Sequence, residues 1–194
     1  MYGIMDRLAR LFAVLGGAVL SAVIILTCLS IIGRLANSIL HGDVLQGVMP
    51  GFANALLATG VGPINGDFEL VEAGMAFAIF AFLPLCQLNG THASVDIFTS
   101  RLPLRVYRFL RAFIEIVFAG VLIVIAWQLG QGTLSKQATG QTTFLLEFPL
   151  WWPYALSLPG AACAALVSIY VAALRLVEVA TGGGVLPPET EAGH

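Results

Sequence analysis

Charged residues are scarce in this chain of 194 residues. Asp, Glu, Lys and Arg make up 10% of the sequence and hydrophobic residues make up 58%, whereas soluble proteins carry about 25% charged residues. This shortage excludes an ordinary soluble domain. The net charge is −2, and no basic patch with interleaved aromatic residues is present, so nothing in the sequence indicates binding to nucleic acid.

Histidine and cysteine are also rare, which limits the chemistry that the chain can support. A haem anchor needs axial histidines within its helices, but His41, His92 and His194 all lie outside the apolar runs. The three cysteines fall in different apolar runs without a CxxC motif, so we interpret them as small packing residues. His92 and Asp96 are four residues apart, yet two side chains leave a metal mostly unligated. We therefore expect no catalytic, cofactor or metal site in this chain, and no enzymatic activity.

Long apolar runs dominate what is present. A bilayer core about 30 Å thick needs roughly 20 apolar residues in a helix, and four runs reach that length. They predict an all-α membrane protein with one integral membrane domain, residues 1–180. The tail, residues 181–194, contains Gly, Pro and acidic residues that predict disorder. The four predicted transmembrane spans cover approximately residues 11–33, 69–89, 112–131 and 149–174.

The connections between the spans differ in composition. Residues 35–67 carry apolar residues at roughly helical spacing, which predicts a short interfacial helix that Pro50 either starts or breaks. Pro103 suits the first position of the third helix, since its missing N–H would be unbonded there. That helix is predicted to reach about Gly130, and the polar residues 131–147 are predicted to form a loop.

The distribution of basic residues predicts the orientation. An even number of spans puts both termini on one side of the membrane. Most of the nine basic residues would lie there, namely Arg7, Arg10, Arg101, Arg105, Arg108, Arg111 and Arg175. Because cytoplasmic segments carry the excess of Lys and Arg, both termini are predicted to be cytoplasmic and residues 35–67 periplasmic.

Two further groups of residues are predicted to contact the membrane. The simplest role of the arginines before and in the third helix is topology and contact with lipid head groups. They are Arg101, Arg105, Arg108 and Arg111. Trp127, Trp151 and Trp152 are predicted to form an aromatic belt at the outer interface.

Polar residues near the ends of the spans are candidates for orienting contacts. Arg34 and Glu72 each lie about a turn inside an end. They either snorkel to water or form an ion pair, with each other or with another subunit. His92 and Asp96 either belong to a capped turn after the second span or hold this connection against another subunit.

Small residues recur at helical spacing in the first and fourth spans. One stripe is Ala13, Gly17 and Ser21, and the clearer one is Gly160, Ala164, Ser168 and Ala172. Such faces let another helix approach closely. The helix that packs on the Gly160 stripe is either the first span or a helix of another subunit.

The sequence lacks the features of a chain that transports a solute alone. Secondary transporters build midplane sites from broken helices in paired repeats, but no two spans are interrupted at corresponding positions. No charged residue is placed near the bilayer centre, where it would cost about 2.5–3.5 kcal/mol. We therefore expect a helical scaffold or partner subunit. The alternative is a stand-alone four-span channel or regulatory membrane protein, which could be homo-oligomeric.

A series of short motifs follows a defined order over about residues 11–176. Arg34 closes the first span, and Glu69 and Glu72 open the second. After the second span comes the G-x-H-x-x-V-D pattern of Gly90, His92, Val95 and Asp96, and then Leu102-Pro103 leads into the third helix. The motifs at the fourth span are Gln141-Thr142-Thr143, Phe148-Pro149-Leu150-Trp151 and Pro159-Gly160. Together the motifs resemble the small membrane subunit of tripartite ATP-independent periplasmic (TRAP) transporters, the DctQ type.

The resemblance implies a non-catalytic accessory of a sodium-coupled importer in the bacterial inner membrane. In this family the small subunit braces a larger multi-spanning permease subunit, which holds the substrate and sodium sites. A periplasmic solute-binding protein delivers the substrate, typically an organic acid. This chain would then hold no cofactor, and sodium would bind only at the large subunit. Candidates for subunit contact or helix orientation are Arg34, Glu69, Glu72, His92, Asp96, Gly160 and Ala164.

Overall fold

The computed structural model describes residues 2–90 and 103–181 and contains six α-helices in these ranges. They are α1 (Tyr2–Leu40), α2 (Asp43–Val48), α3 (Pro50–Ala58), α4 (Asp67–Asn89), α5 (Leu104–Thr139) and α6 (Trp151–Thr181). Within the described residues, β-type pairing is limited to a bridge between Thr142 and Pro149. Helices α1, α4, α5 and α6 are apolar and long enough to cross a membrane, which confirms the predicted all-α protein with four transmembrane helices.

Helix α1 begins and ends well outside the predicted first span. Its 39 residues extend about 58 Å at about 1.5 Å per residue, against about 30 Å for a bilayer core. The predicted boundaries followed the apolar run, but the polar residues before it are helical as well. Arg10 donates a hydrogen bond to Asp6 one turn earlier (2.9 Å). Arg34 lies within the helix and not at its end.

Helix α5 also continues past its predicted end. Residues 131–139, predicted to be part of a loop, form its last turns, so that prediction is wrong for this segment. Gln, Lys and Ser are all compatible with a helix, so a polar composition alone does not end one. The helix ends at Thr139, and the next residue, Gly140, has a φ of 61°, the left-handed conformation that glycine adopts easily after a helix C-terminus.

Residues 41–66 contain two short helices where one was predicted. Helix α2 ends at Val48, and Pro50 is the first residue of α3, so the proline starts a helix. This agrees with its preference for the first helical position. Helix α3 packs against α1 and buries Ala53. The location of α2 and α3 at a membrane surface stays a prediction.

By their main contacts the four long helices form a row: α1 packs on α4, α4 on α6, and α6 on α5. Smaller contacts also join α1 to α6 near Ala9 and α4 to α5 through Gln87 and Glu115. The two middle helices are α4 and α6, and half of the apolar window of α6 is buried, against 6% for α1. Residues 2–90 and 103–181 therefore leave most of the apolar side chains of the edge helices α1 and α5 uncovered.

Different helix ends and loops lie at the two ends of the row. At one end, which we call the terminal end, Ala9 of α1 and Leu88 of α4 cluster with Val171 of α6. The start of α1 thus meets the ends of α4 and α6. At the other end, which we call the loop end, the second half of α1 contacts the loop at residues 59–66. The start of α4 contacts the loop at residues 140–150. The side of the membrane that each end faces stays a prediction.

Candidate functional site

A hydrogen-bond network around Asp67 joins α1 to α4 at the loop end. Ser30 Oγ donates to Asp67 Oδ2 at 2.5 Å, and the guanidinium of Arg34 lies 3.3 Å from the same oxygen. The backbone N–H of Ile64 donates to Ser30 Oγ at 3.3 Å. The acid that pairs with Arg34 is therefore Asp67, whereas Glu72 was one of the predicted partners of Arg34.

Sequence reasoning missed Ser30 and Asp67. A usable signal existed in α1, because Ser30 and Arg34 are four residues apart and share one helix face. A second signal was the position of Asp67, since an acid is favoured in the first turn of a helix. Nothing local connects the two, because Ser30 and Asp67 are 37 residues apart in sequence.

Gly33 allows the first connection to fold back onto α1. A Cβ at Gly33 would collide with the carbonyl oxygen of Gly62. Ser30, one turn earlier, is fully buried. The end of the first connection is therefore fixed against α1 next to the Asp67 network.

A second network fixes the loop between α5 and α6, residues 140–150, which we call the clamped loop. The two carboxylate oxygens of Glu69 accept hydrogen bonds from the backbone N–H groups of Leu145 (2.7 Å) and Leu146 (2.9 Å). Within the loop, the N–H of Thr143 donates to the carbonyl oxygen of Phe148 at 2.9 Å. Glu69 thus positions this loop on α4, a contact made within the chain.

Beside the clamped loop is a cavity of about 190 Å³, which we call the loop-end cavity. It lies between α4, α5, α6 and the loop. Most of its wall is apolar or aromatic. Its lining residues are Glu69, Glu72, Ala73, Ala76, Phe80, Leu129, Thr143, Phe148, Leu150, Pro153, Tyr154 and Ser157. Glu72 is thus part of this cavity and is separate from the Arg34–Asp67 pair.

A buried polar pair joins α4 to α5. Gln87 Nε2 donates to Glu115 Oε2 at 2.8 Å, and the two residues are 1% and 9% exposed. Glu115 lies about three turns into α5. Sequence reasoning did not select Gln87, because a single glutamine near the end of an apolar run carries no local sign of its partner.

Basic residues gather at the terminal end. Arg175 donates to Glu178 at 2.8 Å, and Arg111 both donates to the Tyr107 hydroxyl (3.0 Å) and lies over its ring. Together with Arg108 these side chains line a recess of about 120 Å³. The predicted candidates His92, Asp96 and Arg101 lie outside the described residues, as does the side chain of Arg105.

The small-residue stripe of α6 packs on α4. A Cβ at Gly160 would stand 2.7 Å from the carbonyl oxygen of Phe80, and Ala164 and Ser168 are fully buried. The neighbour is therefore α4, whereas the first span and another subunit were the two predicted possibilities. The spacing identified the packing face correctly but could not identify its partner.

The small-residue stripe of α1 does not face α4. Gly16 does, since its Cβ would lie 2.9 Å from the Cβ of Ala81. A Cβ at Gly17 would meet open space, and Ser21 is exposed. Ala13 and Gly17 are partly buried, so the described part of the chain covers the predicted face of α1 only in part.

The three tryptophans do not share one level. Trp151 and Trp152 open α6. On α5, Gly132 lies near the ring of Tyr154 and Gly130 near Leu158, so Trp127 lies deeper than Leu158. Leu158 itself lies about two helical turns from Trp151. The aromatic belt of these three residues at the outer interface stays a prediction.

No group of three or more metal-ligating side chains occurs in residues 2–90 and 103–181. In the same ranges the polar networks join the helices and loops of the chain to one another. Four apolar helices with polar contacts of this kind define a polytopic helical membrane protein.

The family model of the DctQ component of tripartite ATP-independent periplasmic transporters matches residues 23–179. The chain therefore belongs to this family, and the predicted resemblance is confirmed. It is a small subunit of a TRAP transporter, from a family of transporter components that is not a known enzyme family. Comparison with curated proteins and with solved structures gave no match.

Proposed function

We propose that this chain is the non-catalytic subunit that braces the large permease subunit of a sodium-coupled importer. The large subunit would hold the substrate and sodium sites. A periplasmic solute-binding protein would deliver an organic acid or a similar solute. The complex would lie in the bacterial inner membrane. The observation that carries the bracing role is the row of helices, whose edge helix α1 has only 6% of its apolar window buried.

The polar contacts between the helices and loops of the row favour a scaffold over a solute pathway. Gln87 donates a hydrogen bond to Glu115 and so joins α4 to α5. Asp67 is bonded to Ser30 and Arg34 at the loop end. Glu69 holds the clamped loop. A chain that fixes its own helices in this way is suited to stay in place while a partner moves.

The face of α1 that carries Ala13, Gly17 and Ser21 is our candidate contact with the large subunit. Gly17 faces open space and Ser21 is exposed. Small residues let helices approach closely in a membrane, where association depends on packing. A small-residue face that is only partly covered, on the least buried of the four long helices, is suited to receive a helix of the partner.

The proposed orientation places the terminal end in the cytoplasm and the loop end in the periplasm. The basic residues support it, because Arg7, Arg10, Arg111 and Arg175 belong to the terminal end. Positive residues are retained on the cytoplasmic side. In this orientation Arg108 and Arg111 would contact lipid head groups, and α2 and α3 would lie at the periplasmic surface.

Co-purification with the large subunit tests the proposed contact. Gly17→Leu puts a bulky side chain on the proposed interface and is expected to lower the recovery of the large subunit at least several-fold. Gly120→Leu is the matched control, because a Cβ at Gly120 on the other edge helix, α5, also meets open space. It should leave recovery near that of the wild type.

The opposite pattern, with loss only in Gly120→Leu, would place the partner on α5 and overturn the proposed interface. Equal recovery in both variants would also overturn it. Failure of the wild-type chain to bind the large subunit at all would contradict the accessory role itself. Size-exclusion profiles of the two variants check that each chain is folded before the comparison is made.

A further inference from the structure

The loop-end cavity is bounded by several elements of this chain. Helix α4 contributes Glu69, Glu72 and Phe80, the clamped loop contributes Phe148, and α6 contributes Tyr154. Its volume is about 190 Å³, whereas a protein cavity of about 150 Å³ can hold a benzene-sized molecule. The cavity therefore has room for a small organic group.

The two carboxylates of the cavity differ in their partners. Both oxygens of Glu69 accept N–H bonds from the clamped loop. Glu72, one turn further along α4, is exposed, and its carboxylate accepts no hydrogen bond from residues 2–90 or 103–181. No Lys or Arg of these ranges lines the cavity, and Arg34 is bonded to Asp67. The cavity thus presents an acid without a cation from the described part of the chain.

We propose that the loop-end cavity binds an ammonium group, carried by a lipid head group or by a soluble amine. An exposed carboxylate beside an apolar wall attracts a cation, and the attraction is stronger where the wall excludes water. Phe80, Phe148 and Tyr154 supply aromatic rings. Rings attract cations to their faces, and aromatic walls are used to recognise quaternary ammonium ligands. Glu72 pairs with the charge, and the rings enclose its substituents.

The surroundings of the cavity suit a ligand with an apolar part. Phe144, at the tip of the clamped loop, is 92% exposed, and Trp152 is exposed beside the cavity wall. Trp152 also stacks on Phe148, with the ring centroids 6.2 Å apart. A ligand in the cavity therefore contacts a residue whose neighbour is fluorescent, which provides a means of detection.

Two titrations of the purified full chain test the proposal and identify the source of the amine. In the first, ethanolamine and choline are added and tryptophan fluorescence is followed. In the second, the delipidated chain receives phosphatidylethanolamine or phosphatidylglycerol, and bound lipids are counted by native mass spectrometry. We expect saturable binding of a soluble amine, or selective retention of the amine-headed lipid. A response to only one of the two probe classes shows whether the ammonium group comes from a soluble amine or from a lipid, and it supports the proposal.

Glu72→Gln removes the charge and preserves the shape of the side chain. It is expected to weaken binding about two- to five-fold, the range that a pair of charges contributes at an exposed site. Glu147→Gln is the matched control, because Glu147 is an exposed acid on the clamped loop outside the cavity lining. It should bind like the wild type. Phe148→Leu keeps the charge and removes one ring, so it should weaken choline binding by a smaller factor.

Circular dichroism and size-exclusion chromatography establish that each variant is folded. With folded proteins, equal affinities for the wild type and Glu72→Gln would overturn the proposal. So would a wild-type chain that binds neither soluble amine and retains both lipids equally. The proposed bracing role is independent of this result, since it is tested by recovery of the large subunit.

Discussion

Small residues set how closely the long helices approach one another. Gly160 of α6 lies against the backbone of α4 at Phe80, and Gly16 of α1 lies against Ala81 of the same helix. The Gly160 stripe could be recognised in the sequence, because small residues at intervals of four share one helix face. Its neighbour could not, because the sequence does not reveal which face of α4 lies opposite.

The Gly160 contact predicts a loss of stability on adding one methyl group. In Gly160→Ala the new Cβ would stand 2.7 Å from the Phe80 carbonyl oxygen. Overpacking of this kind costs about 1–3 kcal/mol, so the melting temperature of the purified chain should fall. In Gly120→Ala the Cβ meets open space, and stability should hold or rise slightly because Ala favours a helix. Equal melting temperatures for both variants would contradict the close approach of α4 and α6.

The four spanning helices were predictable as elements because each needs a long apolar run, and such runs are visible in the sequence. Their ends were less predictable. Helices α1 and α5 continue into polar segments, ending at Leu40 and Thr139. The clamped loop could not be predicted either, since Glu69 and Leu145 are 76 residues apart in sequence. Contacts between such distant residues depend on how the helices are arranged.

The attachment of the clamped loop to α4 depends on the carboxylate of Glu69. In Glu69→Gln, one of the two acceptor oxygens becomes an amide nitrogen and the charge is lost. The amides of Leu145 and Leu146 should then exchange with solvent deuterium faster, as measured by hydrogen–deuterium exchange. Glu147→Gln, in the same loop, should leave these rates unchanged. Unchanged exchange in Glu69→Gln would show that the loop is held by other contacts.

At the scale of the whole molecule, four apolar helices form a row with two edges that the described residues leave largely uncovered. That the chain is a membrane protein follows from its composition. Because the sequence places no charge near the bilayer centre, it also favours a scaffold over a transporter. The arrangement α1–α4–α6–α5 could not be predicted, because four apolar spans can pack as a row or as a closed bundle. The row matters because it leaves α1 available to a partner subunit.

The central claim is that this chain serves transport only together with its partners. Its most direct test is solute uptake into liposomes under a sodium gradient. The chain is reconstituted alone, with the large permease subunit, and with both that subunit and the loaded solute-binding protein. We predict sodium-dependent uptake in the complete system and none with this chain alone. Uptake or pore formation by this chain alone would contradict the account.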